Sequence, residues 1–238
     1  MPKVYAMKYP HQITDTGLLE QVTRLQQKRL SQIKSIPRGG VYITYEGKKF
    51  LSHAGVFGPF EDSKALVRNW VIRENESVLD VGTGSGILSI FAALKGTRKV
   101  VALDTNQAAV ENAKANAVLH GVERTVDVRS SDLFNALNKN ESFDVIIANL
   151  PFREKFATDV VEQSMWDTDF KVNKRFFDEV GNYLRVGGRI YFAHSNFGNL
   201  DSVFSLAERG DYTVQFIGEN TMPHGDLRVF YALEIKRR

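Results

Sequence analysis

The stretch Ser77-Val-Leu-Asp-Val-Gly-Thr-Gly-Ser-Gly-Ile-Leu88 decides the fold. A short apolar run passes into a loop with glycine at Gly82, Gly84 and Gly86, and then into a helical pattern. Glycine there permits positive φ and lets a ligand approach the main chain closely. The free amides at the start of the next helix then face that ligand. The glycines are spaced two apart, Gly-x-Gly-x-Gly rather than Gly-x-Gly-x-x-Gly. Taken alone, such a loop also fits a nicotinamide-dependent dehydrogenase.

Outward from this stretch, strand and helix patterns alternate. Strands are expected near 77–81, 99–103, 124–129, 143–148, 188–193, 211–217 and 227–235, and helices near 86–95, 106–120, 169–184 and 199–209. Alternation of this kind implies right-handed βαβ crossovers and a doubly wound, seven-stranded, mostly parallel α/β sheet covered on both faces. No helical pattern separates the last two strands, so the last strand is expected to be antiparallel, forming a hairpin that closes the sheet edge. Before the glycine loop, residues 16–36 carry Leu18, Leu19, Val22, Leu25, Leu30 and Ile33 at roughly helical spacing, with Thr16 as the expected cap. Val41–Tyr45 and Lys49–Leu51 flank Glu46-Gly-Lys48 as a hairpin. Asp62 or Ser63 is expected to cap a helix over about 64–72. This divides the chain into an N-terminal helix-and-hairpin extension, 1–60, with a recognition or lid role, and a main domain, 61–238.

Composition narrows the function classes. The 238 residues suffice for such an arrangement, and the absence of cysteine excludes disulfides, thiolate metal sites and cysteine nucleophiles. The five histidines show no ligand spacing, so no metal is expected. The apolar runs are too short to span a bilayer, and Met1-Pro-Lys-Val-Tyr5 lacks a signal-peptide core, which makes a cytoplasmic location the expectation. Net charge is +3. The basic bias is local: Arg24, Lys28, Arg29, Lys34, Arg38, Lys48 and Lys49 stand against Glu46 alone in 24–49. A solvated helix face explains such a run as well as a nucleic-acid surface does.

Open α/β sheets bind ligands beyond the carboxyl ends of their strands. The first strand leads into Asp80, Gly82, Thr83, Gly84 and Gly86. The second ends at Asp104-Thr105, about twenty residues past the glycine loop, where a carboxylate accepts from ribose hydroxyls. An Asp after a strand also commonly caps the following helix. The third leads into Asp132-Leu133, where an Asp can accept from an adenine amine or simply make a turn. Asp80 either braces the loop or meets a cofactor amino group.

The fourth strand ends in Asn149-Leu-Pro-Phe152. A planar nitrogen, in an amide or a base amine, has a delocalised lone pair and is a poor nucleophile. The Asn149 side-chain carbonyl and the Leu150 backbone carbonyl can each accept an N–H from it, aiming the lone pair and stabilising the cation that develops. Pro151 biases Leu150 towards extended backbone, and Phe152 offers a stacking face. An ordinary strand-ending turn uses the same residue types. The combination with the glycine loop and Asp104 points to N-methyl transfer from S-adenosylmethionine.

These motifs resemble the class I S-adenosylmethionine-dependent methyltransferases, in particular the small-domain group that includes release-factor glutamine N-methyltransferases and RNA guanine or adenine N-methyltransferases. The resemblance covers roughly 50–235 and runs through Gly55-Val-Phe57 with Asp62-Ser63, Val78–Gly86, Ala102–Asp104, Ala109–Asn116, Ser131–Leu133, Asn149–Phe152 and Tyr183–Ile190. It implies a seven-stranded sheet with one antiparallel strand at its end, and Asn149 as the clamp on the substrate nitrogen. Leu150 departs from the usual Pro, which weakens the link to the glutamine branch.

Phe57, Phe60, Phe152, Trp166 and His194 are the candidate substrate contacts, with Met165–Asp169 as one wall or lid and Phe57, Pro59 and Phe60 as the other. His53 is a further loop candidate, and each histidine fits a structural role equally. The acceptor is RNA, protein or a small molecule, with RNA and a protein glutamine foremost. No membrane partner is expected, and the sequence does not define an oligomeric state. The rivals are a nicotinamide oxidoreductase, in which Asn149 has no role, and a non-catalytic cofactor-binding module.

Overall fold

The computed structural model describes residues 11–223 and 225–238. The Met1–Tyr5 segment and His224 therefore lie outside the described residues. The elements run α1 (Thr16–Lys34), β1 (Val41–Tyr45), β2 (Lys48–Ser52), α2 (Glu61–Asn69), β3 (Ser77–Val81), α3 (Ile87–Ala93), β4 (Lys99–Asp104), α4 (Gln107–Leu119), β5 (Val126–Ser130) and β6 (Phe143–Ala148). After these come β7 (Arg153–Glu154), β8 (Trp166–Asp167), α5 (Lys171–Glu179), β9 (Leu184–Ser195), α6 (Leu200–Arg209), β10 (Tyr212–Thr221) and β11 (Val229–Arg237).

The main sheet has seven strands in the order β10-β11-β9-β6-β3-β4-β5, parallel except for β11, which is antiparallel to both neighbours. Chain order reverses direction at β3: β4 and β5 extend the sheet on one side, and β6 returns to the other. Val81 pairs with both Leu103 and Ala148, so the glycine loop, Asp104 and Asn149 leave the sheet side by side.

Alternate strand residues face opposite layers, as the pleat requires. Val78, Val100, Val145 and Ile147 pack beneath α2, α3 and α4. Leu79, Val101, Ile146 and Phe192 pack against α5 and α6. Both faces are apolar, which is why these strands read as continuous hydrophobic runs.

The hairpin forms as expected, around a two-residue Glu46-Gly47 turn with φ of 47° and 73°, the type I′ form that suits strand twist. It is fastened to α4: Asn116 Oδ1 accepts from Leu51 N at 2.7 Å, and Asn112 Oδ1 accepts from His53 N at 2.9 Å.

Helix ends differ from expectation. Asp15, not Thr16, caps α1, accepting from Leu18 N at 2.8 Å. Leu25 lies on the exposed side, and Gln26 takes a buried position instead. Phe60 is the cap residue of α2, so Asp62 and Ser63 fall inside its first turn and turn inwards. The expected helix over 169–184 shortens to α5, because Asp169 and Phe170 adopt left-handed backbone. The Asp167 carboxylate accepts from Val172 N and Asn173 N there, both at 3.0 Å. The two-residue parallel pair β7–β8 is too short to carry a periodic signal. It packs with α1 in a third apolar cluster of Leu30, Ile33, Met165 and Trp166. Among the described residues no helix is long and apolar enough to cross a membrane.

Candidate active site

Two cavities meet at Asn149. The larger, about 410 Å³, opens over the tips of β3, β4 and β5. The smaller, about 50 Å³, lies between Asn149–Phe152 and the helices α1 and α2. Phe57, Asn149, Leu150 and Pro151 line both.

The glycine loop is shaped by its neighbours. Gly82, Gly84 and Gly86 have φ of 75°, 55° and 85°, which side chains adopt only with strain. A Cβ on Gly84 would lie 3.0 Å from the Phe57 carbonyl oxygen, and one on Gly86 would lie 3.0 Å from Ala113. Gly82 N and Thr83 N both donate to Leu103 O, at 2.8 and 2.9 Å, tying the loop to the end of β4.

Asp104 stands at that end. Its Oδ2 accepts from Gly84 N at 2.8 Å and its Oδ1 from Asn106 N at 2.9 Å. The cap of α4 is Asn106, which accepts from Ala108 N at 3.0 Å, so Asp104 is not spent on helix capping. Each carboxylate oxygen keeps lone-pair capacity for a ribose hydroxyl. Burial pushes its pKa up, against three backbone N–H groups that pull it down. Thr105, Asp132 and Leu133 also line the large cavity. Asp132 is exposed and held by Arg175 through two contacts of 2.9 and 2.8 Å. The two residues stand 43 positions apart, and no local pattern announces the pairing.

Asp80, Thr83 and Gly86 stand behind the cavity wall, not on it. Asp80 Oδ2 accepts from Thr83 Oγ1 at 2.7 Å, Ser89 Oγ at 2.6 Å and Ser89 N at 3.1 Å. The side chain is fully buried, its Oδ1 has no partner, and burial pushes its pKa to about 6. Of the two roles weighed for Asp80, the geometry fits the brace.

In the small cavity, Asn149 Nδ2 donates to Asp62 Oδ2 at 3.1 Å and to Ser63 Oγ at 3.4 Å. The Asp62 carboxylate is nearly sealed from solvent, and Ser63 N donates to its Oδ1 at 2.7 Å. Because the Asn149 amide nitrogen is taken, Oδ1 is the atom left for an incoming N–H. Asp62 meets Asn149 across 87 positions, a pairing that neither its helix-cap reading nor the Asp62-Ser63 motif foretells.

Phe57, Phe60 and Phe152 line the small cavity as expected. Phe152 packs in an aromatic wall with Phe197 and Phe230, at ring-centre distances of 6.2 and 6.1 Å. Met165 and Ser164 complete the wall expected from the 165–169 segment.

Two candidates lie off the cavity walls. Trp166 lines neither cavity: α1 covers it in the third apolar cluster, and its Nε1 donates to Gln26 Oε1 at 3.5 Å. His194 also lines neither. It lies wholly buried behind Phe152, 5.3 Å between ring centres, and desolvation pulls its pKa down to about 4. Strand β9 runs on through Ser195, which carries His194 into the core instead of a loop. His53 lies outside both cavity walls as well.

Comparison with known proteins agrees with this geometry. The sequence profile of the family "Ribosomal protein L11 methyltransferase" matches residues 65–154. A Methanocaldococcus jannaschii protein named "Putative protein N5-glutamine methyltransferase" is 34% identical over 198 residues, covering 80% of this chain and 98% of that one. The ribosomal protein L11 methyltransferase of Bacillus pumilus is 44% identical over 79 residues, which is 33% of this chain but only 25% of that enzyme. Among solved structures, M. jannaschii Trm5 in complex with adenosine superposes with a TM-score of 0.60 at 20% identity, over 85% of this chain and 57% of that one. The ribosomal protein L11 methylase of Lactobacillus delbrueckii gives 0.53 at 21%, over 74% and 77%. The chain belongs to the class I S-adenosylmethionine-dependent N-methyltransferases. Its cofactor is S-adenosylmethionine, and the oxidoreductase and non-catalytic readings fall away.

The residues present fit that cofactor. The large cavity has the volume of a nucleoside-sized site, and a half-buried carboxylate with unused lone pairs stands on its wall. Gly82, Gly84, Asp104, Thr105, Asp132 and Leu133 line this cavity and would be the ones to hold it.

Proposed function

We propose that the protein methylates the side-chain carboxamide nitrogen of a glutamine in a protein. The observation that carries this reading is the Asp62–Asn149 hydrogen bond, which commits the Asn149 amide nitrogen and leaves its oxygen for the acceptor. S-adenosylmethionine, when bound, supplies an electrophilic methyl whose bond to sulfur breaks with the electron pair kept by sulfur as the new carbon–nitrogen bond forms. Asn149 Oδ1 and the Leu150 carbonyl take the two N–H groups of the acceptor, turning its lone pair towards the large cavity. They also stabilise the positive charge that gathers on nitrogen, which then sheds one proton to solvent. Phe152 and its neighbours exclude water from that side.

The small cavity, about 50 Å³, has room for roughly four waters and so for the four heavy atoms of a glutamine end. The basic run of 24–49 also does not form one free patch, since Lys34 is tied to Asp159 at 2.7 Å and Lys49 lies over the Tyr42 ring at 4.0 Å. The name of the M. jannaschii relative supports the same acceptor.

The test is incubation with S-adenosylmethionine labelled in the methyl group and the protein, RNA and metabolite fractions of cells lacking the enzyme. Label in protein, located by mass spectrometry as a single added methyl on a glutamine side chain, is the expected result. Label confined to RNA or to small molecules contradicts it.

A further inference from the structure

The small cavity has a second polar wall that the methylation reading does not use. It comes from α1, where Gln26 and Arg29 lie three residues apart on one face. The Arg29 guanidinium is half-buried, lies 5.2 Å over the Phe60 ring, and forms no ion pair among the described residues. Among the described residues its Nε is buried without a hydrogen-bond partner, and its one hydrogen bond there is Nη2 to the Pro59 carbonyl at 3.5 Å. Asp62 faces it with no ion pair or hydrogen bond between the two among the described residues, its oxygens accepting from Asn149 and Ser63. Desolvation pulls the Arg29 pKa below its usual value, and the charge of Asp62 pulls it partly back up. Arg228, over the same ring at 5.7 Å, makes the contrast, because Asp226 pairs with it at 2.6 Å.

Gln26 is buried with its amide orientation fixed. Its Oε1 accepts from Arg153 Nη1 at 3.2 Å and from Trp166 Nε1 at 3.5 Å. Both partners are donors, so Nε2 is the end left over, and it has no partner among the described residues. The cavity therefore has acceptors on one side, Asn149 Oδ1 and the Leu150 carbonyl, and unanswered donors on the other.

We propose that α1 reads the acceptor: Arg29, with Gln26 beside it, donates hydrogen bonds to the carbonyl oxygen of the carboxamide whose nitrogen Asn149 and Leu150 hold. The inference rests on the carboxamide reading and deepens it. A carboxamide carries its two N–H donors and its acceptor oxygen on one carbon, and so answers both walls at once. A carboxylate satisfies Arg29 but sets a negative oxygen against Asn149 Oδ1, the Leu150 carbonyl and Asp62. An amine leaves Arg29 unanswered. A site whose buried polar groups stay unpaired rejects the wrong acceptor far more strongly than a misfitting apolar one.

The experiment compares the wild type with Arg29→Leu and Arg29→Lys, using labelled S-adenosylmethionine and a dilution series of the protein fraction from cells lacking the enzyme. Loss of a charge-assisted hydrogen bond predicts that Arg29→Leu needs about tenfold to a hundredfold more protein for half-maximal labelling. Its maximal rate should change by less than about threefold, the split expected of uniform binding. Arg29→Lys recovers part of the loss, and calorimetry finds the same affinity for S-adenosylmethionine in all three. An unchanged half-saturating protein concentration in Arg29→Leu overturns the inference, as does a fall in maximal rate with half-saturation unmoved. If Arg29→Leu loses S-adenosylmethionine binding, Arg29→Gln is judged by the same readouts. Wild-type label found only in RNA overturns the carboxamide reading itself, an outcome distinct from a silent Arg29.

Discussion

The two halves of the site are built by different physics. The cofactor half is made of main chain: three glycines with positive φ, a Leu103 carbonyl that takes two amides, and an Asp104 carboxylate that takes two more. All of it sits at the tips of adjacent parallel strands, within residues 82–106. The acceptor half is made of side chains from α1, α2, the turn after β6, and β11, segments that tertiary packing alone brings together. A backbone-built cavity suits a cofactor of fixed shape, whereas a side-chain-built one can be retuned for its acceptor without disturbing the cofactor. Asn149, on the wall of both, is where the halves exchange a methyl group in the proposed reaction.

Removing the shared residue should give the largest effect. Asn149→Ala deletes a donor-orienting oxygen of the kind worth about a hundredfold to a thousandfold in rate. The maximal rate of labelling should fall by that factor while the affinity for S-adenosylmethionine changes little. Equal loss of both would mean that Asn149 belongs to the cofactor half alone.

Asp62→Asn should come next, at about tenfold to a hundredfold in maximal rate, because an uncharged partner no longer fixes which end of the Asn149 amide faces the acceptor. Its readout belongs to the acceptor half, so S-adenosylmethionine affinity should again hold. Asp104→Ala should do the reverse. Binding of S-adenosylmethionine, measured by calorimetry, should weaken by about tenfold or more, since two backbone donors and the proposed ribose contact lose their acceptor. A variant of either kind that damages both halves equally would break the division.

The last effect is on stability and not on the reaction. Asp80 has its pKa raised from 3.8 to about 6, so the folded state keeps a proton over that window that the unfolded chain gives up. Stability from this residue is therefore highest below about pH 4, falls as pH rises through 6, and is lower above it by on the order of 3 kcal/mol. Asp80→Asn removes that dependence. Denaturant titrations should show the variant gaining on the wild type by up to about 3 kcal/mol between pH 4 and 7. A constant difference would mean that Asp80 titrates in the folded protein as it does in the unfolded chain.

The same division governs what the sequence reveals. The strand-to-loop positions of Gly82, Gly84, Asp104 and Asn149 were legible because each requirement is local: positive φ, a strand tip, an amide before a proline. The mostly parallel sheet followed from the βαβ alternation. The acceptor wall was not legible, because a Gln and an Arg on an amphipathic helix look like its solvated face until α1 is docked. Asp62 has the composition of a helix cap, and only the start of α2 at Glu61 turns it inwards. Trp166 and His194 lie away from the cavity walls for the opposite reason: both fall in strands, β8 and the extended β9, where periodicity gave no strand.

The most direct test is the structure of the protein with S-adenosylhomocysteine. The account predicts ribose hydroxyls within about 3 Å of the Asp104 carboxylate, sulfur facing the small cavity, and the Asn149 amide nitrogen still on Asp62. A nucleoside seated away from Asp104, or an Asn149 carboxamide turned with its oxygen towards Asp62, contradicts it.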